Sequence, residues 1–197
     1  MKSAYPTCFS VALVFSLMAC SGSNARGADD AAVGALSRWK DNAAAKMDMD
    51  KIIAGLTEGD MAASWSRIVA PAEGSETADW VRSRFDDWSG DLRAGCYTTR
   101  TLCVKANGNW GIAFFAHLKG NLDAREGAAK RFATPNEHVN HWGMACHHSA
   151  DGWKLVPPGT GRDLPGYNGF LKDFMRDVSP LSDAVKKQYA DSLPRKE

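Results

Sequence analysis

Residues 109–118 alternate so regularly that few structures other than a strand accommodate them. Trp110, Ile112, Phe114, Ala116 and Leu118 fall on one side of an extended chain, with period two. Asn107-Gly108, just before this run, is a strong signal for a two-residue hairpin turn. A second alternating run, Trp142, Met144, Cys146 and His148, leads into Asp151-Gly152, another such signal. Pairing across that turn sets Ala150 beside Trp153 and His148 beside Leu155. The apolar side chains then stay on one face, as a correct register requires. The second half of the chain therefore reads as an antiparallel meander.

The first half has the period of helices. Val33, Leu36, Ala43 and Met47 form one stripe over 30–47, and Asp48 or Asp50 is placed to cap a short second helix carrying Ile52, Ile53 and Leu56. Gly59 suits the end of that helix and Asp60 the start of a third, which carries Met61, Trp65 and Ile68 until Pro71 stops it. Thr77 is expected to cap a fourth helix with Val81, Phe85, Trp88 and Leu92 on one face. The polar stretch 120–137 reads as a long loop or a short helix. Residues 164–178 and 180–193 suggest two short outer helices. The fold class is thus α+β: N-terminal helices packed on a curved antiparallel sheet, with a short helical C-terminal extension.

The N-terminus carries an address. Lys2 precedes an apolar run from Phe9 to Ala19, 11 residues long, whereas a membrane span needs roughly 20. Leu17-Met18-Ala19-Cys20 resembles the lipobox of bacterial lipoproteins. That resemblance implies cleavage before Cys20 and acylation of Cys20, including palmitate, with several chains giving stable anchoring. Ser21 stands where an Asp would retain a lipoprotein at the inner membrane, so the expectation is the outer membrane, facing the periplasm. The chain divides into a signal peptide at 1–19, a lipidated tether at 20–29, an α+β domain at 30–158 and the helical extension at 159–197.

Charge removes one class of partner. Lys and Arg total 24 against 23 Asp and Glu, a formal net charge of +1, with no long basic run. Nucleic-acid binding normally needs a basic patch, so no nucleic-acid partner is expected. Besides Cys20, the mature chain holds Cys96, Cys103 and Cys146. An oxidising periplasm permits one disulfide among them. Spacing leaves the pairing open; the nearest-neighbour choice, Cys96 with Cys103, needs a tight hairpin between the two.

The order of helices, a Gly59-Asp60 break, further helices and then strands over Val104–Leu118 and Trp142–Val156 resembles the nuclear-transport-factor-2-like superfamily. The resemblance implies a cone-shaped α+β domain whose sheet wraps a long helix. Enzymes of that superfamily set an Asp or His inside the cone with a Tyr opposite, and Tyr97 and His117 are the available analogues. Phe115 and His141 join them as candidate ligand-binding residues, His141 because it could meet His117 across neighbouring strands.

Other constellations were weighed on geometry. His138, His141, His147 and His148 cluster near Cys146 and His117, and imidazole with thiolate suits zinc or copper. On one strand, however, His141 and His147 lie about 20 Å apart at ~3.3 Å per residue. No metal is assigned. Cys146 and His147 are strand neighbours and face apart, so they form no nucleophile–base pair. Asp79, Asp86, Asp87 and Asp91 read as a solvated helix face. Serines lack a nucleophile-elbow context, and Gly159-Thr160-Gly161 lies in a Pro-rich loop, so no cofactor is expected. Two functions remain: a non-enzymatic envelope module, of inhibitor or immunity type, that binds a partner protein or an apolar small molecule; or a small cone-type isomerase or hydrolase with a buried acid–base residue.

Overall fold

The computed structural model describes residues 25–134 and 136–193. The expected signal segment, Cys20 and the start of the expected tether lie outside the described residues. Five helices and five strands follow in the order α1 (Ala25–Arg38), β1 (Lys40–Asp41), α2 (Ala43–Glu58), α3 (Met61–Ser66), α4 (Glu76–Arg93), β2 (Tyr97–Asn107), β3 (Trp110–Lys119), β4 (Val139–Ser149), β5 (Gly152–Leu155) and α5 (Tyr167–Tyr189). The α+β architecture is that expected from the two periodicities. Among the described residues, no helix is long and apolar enough to cross a membrane.

The strands form one antiparallel sheet in the order β1-β2-β3-β4-β5, a meander. Both hairpins are present, with turns one residue away from their sequence signals. Asn107 pairs with Trp110, so Gly108-Asn109 is the turn, and Gly108 supplies the positive φ of 62° at its first central position. Ser149 pairs with Gly152 and His148 with Trp153, so Ala150-Asp151 is the second turn. The β4–β5 register therefore slips by two from the expected one. Two residues is a full pleat, so each side chain keeps its face.

Both faces of the sheet are covered. Val104, Ala106, Ala113, Phe115, Cys146 and Leu155 pack with Met49, Ile52 and Leu56 of α2 and Val81, Phe85, Trp88 and Leu92 of α4. On the other side Leu102, Cys103, Trp110, Ile112, Phe114 and Ala116 pack with Ala35 of α1 and Phe170, Phe174, Leu181 and Val185 of α5. We call these the inner and outer faces. A bulge between Thr101 and Cys103 shifts β2 by one residue relative to β3. It turns both Leu102 and Cys103 outward while Thr99, Thr101 and Val104 stay with the inner set.

Helix boundaries moved where a cap outcompeted a stripe. The stripe expected over 30–47 is broken by β1, and Asn42 caps α2 by accepting from Ala45 N at 2.9 Å. Val33 and Met47, taken as stripe residues, are 68% and 61% exposed. Asp48 caps nothing; inside α2 it accepts from Trp153 N at 3.1 Å and pairs with Lys51 and Arg67. Gly59 and Asp60 act as expected, Asp60 accepting from Ala63 N. Ser75, rather than Thr77, caps α4.

The C-terminal extension is one helix, not two. Pro180 lies inside α5, where the missing N–H and ring clash cost about 3 kcal/mol. Phe170, Phe174, Leu181 and Val185 nevertheless form a continuous buried stripe through it. Burying four such side chains at roughly 1.5–3 kcal/mol each outweighs the proline.

One carboxylate fastens the outer layer. Asp177 of α5 is 1% exposed and accepts from Arg38 Nη2 at 2.6 Å, Trp39 Nε1 at 2.9 Å and Arg176 Nε at 2.8 Å. The bonds from Arg176, and then those from Arg38 and Trp39, hold its carboxyl well below the usual carboxylate range. Because the folded value is the lower one, this stabilisation is present at neutral pH and is lost as pH falls below about 4. Asp177→Asn should cost about 2–3 kcal/mol in urea unfolding at pH 7 and much less at pH 3. An equal loss at both pH values would remove the charged-bond account.

Candidate functional site

Three of the four expected ligand-binding residues converge on the inner face. Tyr97, Phe115 and His117 share that face because Tyr97 pairs with Lys119, Thr99 with His117 and Thr101 with Phe115. The Tyr97 and His117 rings lie 4.4 Å apart, and Trp142 lies 5.2 Å from His117 and stacks on Phe115 at 4.5 Å. Trp88 of α4 closes the cluster at 5.1 Å from Trp142 and 6.1 Å from His117. Phe132, from the loop between β3 and β4, covers Tyr97 at 6.2 Å.

His141 does not join them. It pairs with Ala116, whereas His117 pairs with Asn140. That offset of one residue puts the two imidazoles on opposite faces of the sheet. His141 stands on the outer face, where burial, and then Lys186, lower its pKa. Its Nε2 is buried without a hydrogen-bond partner.

Two polar chains thread the inner cluster. Trp88 Nε1 donates to Thr99 Oγ1 at 3.2 Å, and Thr99 Oγ1 lies 2.8 Å from His117 Nδ1. Burial, with Arg131 nearby, drops the His117 pKa to about 3, so the imidazole is neutral. In the second chain Tyr97 donates to Asp91 Oδ2 at 3.1 Å, and Arg125 Nη1 donates to Asp91 Oδ1 at 3.0 Å. Arg131 Nε lies 3.5 Å from Asp91 Oδ2. Burial raises the Tyr97 pKa, and its proton stays on the phenol.

Asp91 departs from the solvated helix face expected of it. It is 4% exposed, whereas Asp79 and Asp86 stand in solvent. Its position three residues after Trp88 was the available signal, since i and i+3 share a helix face. Nothing in the sequence linked it to Arg125 and Arg131, which lie more than thirty residues downstream. Those arginines fasten the β3–β4 loop onto α4, and Arg125 also donates to the Asp87 carbonyl at 2.8 Å. A Cβ at Gly90 would run into the Arg125 guanidinium, so glycine there permits the approach.

Among the described residues the cysteines form no bridge. Cys96, Cys103 and Cys146 are all buried free thiols. The expected Cys96–Cys103 pair fails because no hairpin separates them. Cys96 directly precedes β2 and Cys103 lies within it, about 20 Å further at ~3.3 Å per residue and on the opposite face. Burial pushes the Cys103 thiol up to about 12 and raises Cys96 and Cys146 as well, so none is a ready thiolate. Among the described residues, no three His, Cys, Asp or Glu side chains are placed to share a metal ion.

No protein-family model matches the chain, and neither does any curated protein or solved structure.

The inner cluster fixes a pH response. The His117 value lies below the ordinary 6.5, so the unfolded chain binds the proton more readily. Stability should fall as pH drops from about 6.5 towards 3. His117→Gln should flatten the urea midpoint over that window, and an unchanged pH profile in the variant would place the response elsewhere.

Proposed function

We propose that this chain is a lipid-anchored envelope protein whose domain binds a partner or small ligand and catalyses no reaction. The observation that carries the non-catalytic reading is the filling of the inner face. Rings of Trp88, Tyr97 and Trp142 stand 4.4–6.1 Å from His117, with Phe132 over Tyr97. A general base must reach within hydrogen-bonding distance of a substrate proton, and these rings occupy that space. Tyr97 is committed to Asp91, and Asp91 to two arginines, as in a structural network rather than an acid–base pair.

The address rests on Leu17-Met18-Ala19-Cys20 and the short apolar run before it. Under this reading Cys20 carries palmitate, and Ser21 directs the protein to the outer membrane. An inhibitor or immunity module fits this placement, because such a module guards the compartment in which the domain resides. The helices-then-meander order keeps kinship with the nuclear-transport-factor-2-like superfamily as part of the same proposal.

Metabolic labelling with palmitate tests the anchor. The wild-type chain should take up label and sediment with membranes, whereas Cys20→Ser should lose the label and leave the membrane fraction. Equal labelling of the two would remove the lipid anchor from the reading.

A further inference from the structure

The 67–69 segment runs along the edge of β5, with Val69 N donating to the Leu155 carbonyl at 2.8 Å. Beside it lies an open groove of about 470 Å³, bounded by Trp65, Val69 and Ala70 on one side and Leu164 on the other. That volume falls in the range of small-molecule sites. His147 and Lys154, register partners on β4 and β5, line the groove from the outer face.

His147 is the unusual member. It is 8% exposed, with its ring 4.7 Å from Trp110, and neither ring nitrogen has a hydrogen-bond partner among the described residues. The ring lines the groove rather than being sealed in the core. Trp110 is itself fixed, donating to the Pro165 carbonyl at 2.8 Å, so the imidazole rests on a rigid floor. Burial, and then His148, lower the His147 pKa, which keeps the ring neutral and able to donate one bond.

The groove's lining carries one full charge, the Lys154 ammonium. Its partner is Asp151, 3.4 Å away with a side chain 78% exposed. A pair so exposed contributes little, so an anion in the groove can compete for Lys154. Ser66 and Ser149 also line it, among the apolar side chains of Trp65, Val69, Ala70 and Leu164.

We propose that this groove binds an apolar monocarboxylate, its carboxylate on Lys154 Nζ and the His147 ring, its body along Val69, Ala70 and Leu164. Either a free aliphatic acid or the apolar C-terminal residue of a peptide presents this chemistry. The inference deepens the binding reading by naming a ligand class, and it is independent of the lipid anchor.

The test uses the full-length chain carrying Cys20→Ser, so that its outcome says nothing about acylation. Octanoate, octanamide and N-acetyl-leucine are titrated while NMR follows the Trp65 indole and His147 ring signals. Octanoate or N-acetyl-leucine should saturate and move both signals. Octanamide should bind about tenfold more weakly, as should the acids to Lys154→Met, with Lys154→Arg restoring binding. The tighter of the two acids identifies the source, free acid or peptide terminus, and either result upholds the site. No saturable shift at millimolar acid overturns the proposal. So does equal affinity of acid and amide, or of wild type and a folded Lys154→Met.

Discussion

Strand β3 is buried on both faces, and the rest of the architecture follows from that constraint. Ile112, Ala113, Phe115 and Ala116 are essentially inaccessible although neighbours point in opposite directions. A sheet whose central strand is apolar on both sides must be covered on both sides. Helices α2 and α4 supply one cover, α1 and α5 the other. Helix α5 is amphipathic enough to run unbroken through Pro180 because the outer face of β3 would otherwise meet water.

Two buried carboxylates then join elements that are distant in the chain. Asp177 ties α5 to the end of α1, and Asp91 ties α4 to β2 and the β3–β4 loop. Each is satisfied by several donors, which is the condition under which a buried charge is tolerated. The inner network also engages the residues that resemble an acid–base set. The Tyr97 and His117 rings lie tilted at 44° to each other, and aromatic packing and hydrogen bonds occupy both. The groove lined by His147 and Lys154 lies elsewhere, on the outer face of β4 and β5.

Much of the element inventory was legible in the chain. The α4 stripe of Val81, Phe85, Trp88 and Leu92 is buried as its spacing required. The alternation around Trp110 and the two turn signals located both hairpins to within a residue. These succeeded because period and turn chemistry are local properties. The 30–47 stripe misled because apolar spacing alone cannot tell an exposed Val33 or Met47 from a buried one, and the structure starts α2 at the Asn42 cap inside that stripe.

By itself the sequence determined the α+β class, the meander, the Gly59-Asp60 helix break and the placement of Tyr97 and His117 at compatible positions. It could not determine which side chains meet. The tertiary structure put His117 and His141 on opposite faces, through one residue of register, and Cys96 and Cys103 on opposite sides of one strand. It also brought Asp91 to Arg125 and Arg131, and left His147 facing a groove beside Lys154. Pairing between strands and the docking of helices are long-range choices, made by the total apolar surface that can be buried, and no local pattern encodes that sum.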